Sequence, residues 1–184
     1  MSSSRALPRE FYERPAAEVA RALLGKLLVH KTPQGSRTAR IVEVEAYLGL
    51  TDRAAHAWRG PTPRTQVLFG PPGHAYVYLI YGMYECLNIV ADSAGVPGCV
   101  LIRALEPIQG IERPTNGPGR LTRAMGISRA HNGTDLTRGK LTAREPGQIA
   151  KLEIGVSPRI GITHCADWPL RFFIRGNPHV SRKE

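Results

Sequence analysis

The sequence predicts an α+β fold: a single domain built on a mostly antiparallel, curved β-sheet with flanking helices and a protruding β-hairpin. Three observations predict it. With 184 residues, 42% of them hydrophobic, the chain is long enough for one domain with a sizeable core. Its apolar residues fall in short alternating runs, with few helical patterns among them and no internal repeat. Residues 76–88 alternate strongly on both sides of Gly82, the pattern of a hairpin.

The elements follow in order. Residues 1–10 are rich in Ser and Arg and are expected as a flexible tail, leaving 11–184 as the domain. Pro15 opens a helix patterned by Val19, Leu23 and Leu24, which Gly25 ends. Lys26–His30 and Thr38–Glu45 are strands joined by a turn through Pro33-Gln34-Gly35-Ser36. Residues 49–74 are rich in Gly and Pro without a clear period, and long connections of this kind tend to carry function. The hairpin follows, then a strand over Gly98–Leu105 with Val100, Ile102 and Ala104 on one face. Pro118–Met125 suits a short helix closed by Gly126. Lys151–Gly155, Arg159–Ile162 and Leu170–Arg175 are the late strands.

The hairpin is the most informative segment, holding four of the six tyrosines. Tyr76, Tyr78 and Ile80 point one way and Val77 and Leu79 the other. Tyr84, Cys86 and Asn88 resume the alternation on the return. Tyr81 and Met83 then flank the turn, where a large amphipathic ring cannot easily reach its own core. It has the form of a wedge, and in a basic protein the base stack of a nucleic acid is the partner it suits.

The net charge of +10 and a pI near 10.1 point to a polyanionic partner or a basic surface. Arginine supplies 20 of the 25 basic residues and forks onto phosphate better than lysine. A GC-rich coding sequence would also raise Arg, together with Ala, Gly and Pro, but does not account for the net charge. From Ile41 to Asp92 there are five acids and three basic side chains; from Arg103 to Arg144 there are three acids and eight basic ones. A catalytic pocket beside a phosphate-binding surface would divide charge this way, and so would a solvated face. Cys86, Cys99 and Cys165 are scattered and odd in number, which argues against a disulfide framework or a zinc site, so no metal and no cofactor are expected. The first ten residues hold no apolar run, and no stretch is long enough to span a bilayer. The expectation is a cytoplasmic, nucleoid-associated monomer with no membrane contact.

In Ile41-Val42-Glu43-Val44-Glu45 the two glutamates share a face and Val42 and Val44 are expected toward the core. Paired glutamates of this kind usually form the wet face of an edge strand. A carboxylate at the end of a buried strand is also well placed as a general base toward water. The residues immediately after Glu45, Ala46-Tyr47-Leu48-Gly49, then Asp52 and Ala54-Ala55-His56, favour the second role.

With these blocks in view, the chain resembles the mammalian-type alkyladenine (3-methyladenine) DNA glycosylases, from about Pro15 to Val180. The blocks that carry the resemblance begin with Leu24-Gly25-Lys26-Leu27-Leu28, Val44-Glu45-Ala46-Tyr47-Leu48-Gly49 and Ala54-Ala55-His56. The run from Tyr76 to Tyr84, Asn88 and Arg103-Ala104-Leu105-Glu106-Pro107 come next. Asn116-Gly117-Pro118-Gly119 and the late run from Leu170 to Gly176 complete the set. The resemblance implies a monofunctional glycosylase acting on double-stranded DNA that contains damaged purines: 3-methyladenine, 7-methylguanine, hypoxanthine or ethenoadenine. It implies Glu45 as the base that deprotonates water and Arg103 as the group that holds that water or Glu45. It implies Tyr47, His56 and Tyr78 as walls around an extruded base, and Asn88 at the pocket floor, where the amino group of guanine would clash. Tyr81, with Met83 and Tyr84 beside it, would enter the duplex, and Arg120, Arg123 and Arg171 would contact phosphates. From the residues alone, Tyr47 and Tyr78 could equally be core tyrosines, Asn88 an ordinary strand-end polar group and Arg103 a surface phosphate contact. Two features depart from the family pattern. Ile111–Thr115 is short where some members carry a longer basic loop, and Arg120 stands where lysine is common. Lys26 is the only lysine in the motif blocks, which disfavours a lyase step through a Schiff base. The alternatives are a non-catalytic module that stacks bases on tyrosines and a bifunctional glycosylase with lyase activity.

Overall fold

The computed structural model describes residues 4–148 and 151–182. Its centre is a curled, eight-stranded antiparallel sheet with two short α-helices packed against it. Along the main path lie β3 (Ala75–Ile80), β4 (Tyr84–Ala91), β5 (Gly98–Gln109), β2 (Gly35–Tyr47), β1 (Leu27–Thr32) and β6 (Leu141–Arg144), in that spatial order. β2, at 13 residues, is long enough to fork the sheet. One edge pairs with β5 along nearly its whole length. The other pairs first with β1 and then, at Glu43–Glu45, with β8 (Arg171–Ile174), which in turn pairs with β7 (Ile154–Ser157).

The helix expected after Pro15 is α1 (Ala16–Leu23). Ala16, Val19, Ala20 and Leu23 recur at helical spacing and are buried against the sheet. Proline at the N-cap offers no side-chain acceptor, and Asp92 supplies one from across the fold by accepting the Ala16 N–H at 3.1 Å. The second helix, α2 (Pro118–Met125), begins with proline and ends at Gly126 in the left-handed conformation, φ 71°. The long connection, residues 49–74, is ordered by three single 3₁₀ turns at Gly49–Thr51, His56–Arg59 and Gln66–Phe69.

Several expectations need correction. Residues 4–10 are not loose: Leu7 is fully buried, its N–H bonds to Ala143 O, and Arg9 pairs with Asp135 at 2.8 Å. Residues 1–3 lie outside the described residues. β6 was not expected. Arg159–Ile162 forms no strand; the Ile160 N–H goes to the Glu45 carboxylate instead of to a ladder. Glu43 and Glu45 are not on the wet face of an edge strand. β2 is central, both glutamates are fully buried, and the ladder to β5 is irregular between Ile41 and Val44. That irregularity shifts the inward phase, so Ile41 and Val44 enter the main core while Val42 is buried outside it. No helix among the described residues is long and apolar enough to cross a membrane.

Candidate active site

The tyrosine hairpin forms in the expected register. Tyr76 pairs with Asn88, Tyr78 with Cys86 and Ile80 with Tyr84, so their side chains share one face. The turn takes positive φ at both Tyr81 (52°) and Gly82 (67°). Glycine adopts this freely; tyrosine does not, at a cost of about 1–2 kcal/mol. That strained residue is also, among the described residues, the most solvent-exposed large hydrophobic, at 81%, with Met83 and Tyr84 exposed beside it. The hairpin thus holds an unsupported ring out at its tip.

Below the tip the same face closes a cavity of about 500 Å³. Tyr76, Tyr78 and Asn88 line it from β3 and β4, Leu101 and Arg103 from β5, and Tyr47 from β2. Ala54–His56, the start of α2 and Ile160–Ile162 complete the wall. The cavity is concave, mostly apolar and carries few convergent polar groups, the usual character of a small-molecule site. No lysine lines it. Gly119 lets α2 approach the hairpin, since a Cβ there would meet the Tyr84 ring at 2.8 Å.

His56 stands edge-on to Tyr78, with ring centroids 4.5 Å apart, and its Nδ1 is 2.9 Å from the Tyr76 hydroxyl. Burial, with the Arg64 charge adding to it, lowers the imidazole pKa to about 4, so the ring is neutral at pH 7. Arg64 lies 5.0 Å over Tyr78. Asn88 is buried at the cavity wall, donating to Tyr76 O at 3.2 Å.

Glu45 sits one side chain behind this wall and has no exposed surface. Three donors that do line the cavity hold it. The Ile160 N–H donates to Oε1 at 2.7 Å and the Tyr47 hydroxyl to Oε2 at 3.0 Å, while Arg103 Nη1 stands 3.3 Å from Oε1. Burial pushes the carboxyl pKa up; Arg103, the Ile160 amide and Tyr47 oppose that rise, and the net direction is upward. Arg103 Nε also donates to Glu43 at 3.1 Å, so one guanidinium joins the two buried carboxylates.

The structure therefore brings Glu45, Arg103, Tyr47, His56, Tyr78 and Asn88 together, with Tyr81, Met83 and Tyr84 at the rim. Arg120, at the start of α2, is exposed, lines the cavity mouth and donates to Asn116 at 3.1 Å. Arg123 is exposed one turn along, in a second groove with Arg37 and Arg113. Arg171 is misassigned as a phosphate contact. It is buried, its Nε bonds to Glu43 at 2.8 Å, and Ser157 and the Arg182 carbonyl take its remaining nitrogens. Sequence reasoning passed over Tyr76 as a wall, although its place on the alternating face could have signalled it. It singled out Asp52 but passed over Arg159, its buried partner 107 residues away, for which nothing local gives a sign. Among the described residues no group of three or more His, Cys, Asp or Glu is placed to hold a metal ion.

Residues 10–178 match the model of a family described as methylpurine-DNA glycosylase. A Legionella pneumophila (strain Corby) protein named "Putative 3-methyladenine DNA glycosylase" is 49% identical over 181 residues, covering 97% of this chain and 99% of its own. Proteins of the same name from Myxococcus xanthus and from Methanocella arvoryzae are 48% and 49% identical. Each alignment covers 96% of this chain, and respectively 93% and 96% of the relative.

Proposed function

The chain belongs to the methylpurine-DNA glycosylase family, and on that premise we propose that it is a 3-methyladenine DNA glycosylase that flips a damaged purine nucleotide out of duplex DNA and hydrolyses its glycosidic bond with water activated by Glu45. The observation that carries this reading is the placement of a buried carboxylate behind a tyrosine-walled cavity, with an exposed ring held out at its rim.

The target bond is hidden in the base stack, so the nucleotide must leave it, at a cost of a few kcal/mol that damage lowers. Tyr81 is placed to fill the vacated space and offset part of that cost. In the cavity, Tyr47 and Tyr78 offer ring faces to the base. A 3- or 7-methylated purine is cationic, so it stacks well on electron-rich rings and leaves readily. A neutral His56 does not repel such a base, and with Nδ1 engaged by Tyr76 its Nε2 is free for a base edge. Asn88, buried at the cavity wall, would exclude the amino group of guanine. As the bond breaks, positive charge develops on the sugar, which an anionic Glu45 would stabilise while taking a proton from water. The water must reach Glu45 through the wall formed by Tyr47 and Arg103. That no lysine among the described residues lines that wall favours hydrolysis over a Schiff base, leaving the abasic strand intact.

The test is product analysis on duplexes carrying 3-methyladenine, 7-methylguanine, hypoxanthine or ethenoadenine. Free base with an unbroken abasic strand is the expected result. A nicked strand would indicate a lyase, and binding without base release would leave a module that only stacks bases.

A further inference from the structure

We propose that the dipeptide Arg159-Ile160 is the positioning element of this site, with the Arg159 guanidinium setting the plane of the Tyr47 ring and the adjoining Ile160 amide fixing the carboxylate of Glu45. The inference deepens the glycosylase reading and rests on it.

Two contacts join the dipeptide to the site. The Arg159 guanidinium lies over Tyr47 with its central carbon 4.6 Å from the ring centroid. Its side chain has no exposed surface, so it occupies the protein side of the ring, while Tyr47 also lines the cavity. The same ring carries the hydroxyl that donates to Glu45 Oε2, and the next amide in the chain donates to Glu45 Oε1. One rigid stretch of backbone thus sets both the stacking wall and the carboxylate behind it.

The guanidinium is itself locked. Nη1 donates to Ala46 O at 3.0 Å and both Nη atoms bond to the Asp52 carboxylate. Asp52 also accepts the N–H groups of Leu48 and Ala54, at 3.1 and 3.0 Å. Through Asp52, Arg159 therefore holds the loop that delivers Ala54, Ala55 and His56 to the cavity. Among the described residues the buried Nε has no partner. A planar fork set over the ring fits this arrangement: its two ends serve Asp52 and Ala46, and its centre stands over Tyr47. Lysine could supply the charge but neither the plane nor the fork.

Two variants test the proposal. Arg159→Met combined with Asp52→Asn removes the charged pair together, leaving no buried charge unpaired. Arg159→Lys keeps the charge beside Asp52 and removes the flat contact. Each is assayed for free-base release, in single turnovers with enzyme in excess, on methylated duplex DNA carrying 3-methyladenine and 7-methylguanine. The maximum rate is expected to fall about 10–100-fold in the double variant, the scale of a misplaced catalytic group, and less in the lysine variant. The enzyme concentration giving half the maximum rate should change far less, because Tyr81 and the arginines outside the cavity are untouched.

The acid limb of the pH–rate profile should also move to higher pH. The groups facing Glu45 are Arg103 from β5, Tyr47 and Glu43 from β2, the Ile160 amide and the charge of Arg159 itself, with Arg171 of β8 beyond Glu43. Loosening the amide and the hydroxyl leaves burial less opposed. In the lysine variant, which keeps the charge near Glu45, a purely structural ion pair would lower the melting temperature and leave the limb in place. A wild-type maximum rate and acid limb in either folded variant overturns the proposal, and if the double variant fails to fold, the lysine variant decides. If the unaltered protein releases no base, the glycosylase reading itself fails, and this inference with it.

Discussion

Replacing Glu45 by glutamine is the most direct test of the chemistry, and its consequences can be worked from the geometry. The amide keeps the volume and an oxygen that can accept the Ile160 N–H, now 2.7 Å from Oε1. Its NH₂ would face the Tyr47 hydroxyl, which can turn to accept. Arg103 loses one carboxylate but keeps Glu43, 3.1 Å from its Nε, so no buried cation is stranded. The cost to the fold should stay at about 1–2 kcal/mol, of the order of one exchanged hydrogen bond. The chemical loss is larger. General-base catalysis supplies about 10²–10⁴-fold, equivalent to roughly 2.7–5.4 kcal/mol of barrier, and the lost negative charge beside the sugar adds to it. Single-turnover excision of an alkylated purine should therefore fall by at least about 10²-fold while binding of the damaged duplex persists.

The wild-type rate should fall on acidification through a midpoint above the ordinary carboxylate range, since burial raises the Glu45 pKa and only the ionised form is a base. Glu43→Gln is the control. Glu43 accepts from Arg103, Arg171, Ser181 N and Ser181 Oγ, so its loss should cost about 3–5 kcal/mol of stability, read as a lowered melting temperature. The rate per folded molecule should fall far less than in Glu45→Gln. A near wild-type rate in Glu45→Gln would refute the mechanism, and equal rate losses in the two variants would mean that the working carboxylate was misidentified.

Four further outcomes are expected. Tyr81→Ser should weaken excision from a fully paired duplex more than from one loosened around the lesion, where extrusion is cheap; equal defects would make Tyr81 a structural residue. Asn88→Ser should gain activity toward guanine and, by losing its bond to Tyr76 O, about 1 kcal/mol of stability should be lost; unchanged selectivity would place the discriminating group elsewhere. Arg120→Ala should weaken binding to damaged and undamaged duplexes alike and make the slope of log affinity against log salt shallower by about 0.9; an unchanged slope removes Arg120 from the DNA contacts. An NMR titration of the His56 ring should show no midpoint between pH 5 and 8, given its pKa near 4, and a midpoint near 6.5 would contradict the buried, neutral imidazole.

What could be read from the sequence was local. The hairpin was legible because a two-residue period and a central glycine define strands and turn without reference to the rest of the chain. α1 and α2 were legible from apolar spacing and their flanking Pro and Gly. Glu43 was not, because alternation cannot tell a central strand from an edge, and β2 is central at Glu43 only through its pairing with β8, more than 120 residues away. β6 has four residues, too few for a period, and Leu7 is one apolar side chain in a polar run. Arg159–Ile162 alternates in composition yet forms no strand, because the Ile160 N–H is given to Glu45 rather than to a ladder. The site was legible where the family blocks carried it and illegible where it rests on long-range pairing, as with Asp52 and Arg159.

The same pairing changes what the basic composition means. Glu43, Glu45 and Asp52 are fully buried, and the arginines buried with them are Arg103, Arg159 and Arg171. Three acids against three cations cancel, so the buried cluster contributes nothing to the net charge of +10 and the excess must lie nearer the surface. Counting arginines by motif therefore overstates the phosphate contacts, as Arg171 illustrates, while the surface excess remains available to a polyanion. Burying charge is costly unless each ion is paired and hydrogen-bonded, so a cluster of this kind is weak evidence for stability. It fixes orientation instead: each guanidinium joins elements that are distant in sequence, Arg103 between β5 and β2, Arg171 between β8 and β2, and Arg159 between the 3₁₀ loop and the Tyr47 wall. These arginines hold Glu45 and its wall in place, and the exposed ones, Arg120 and Arg123, are left as the candidates for the phosphates.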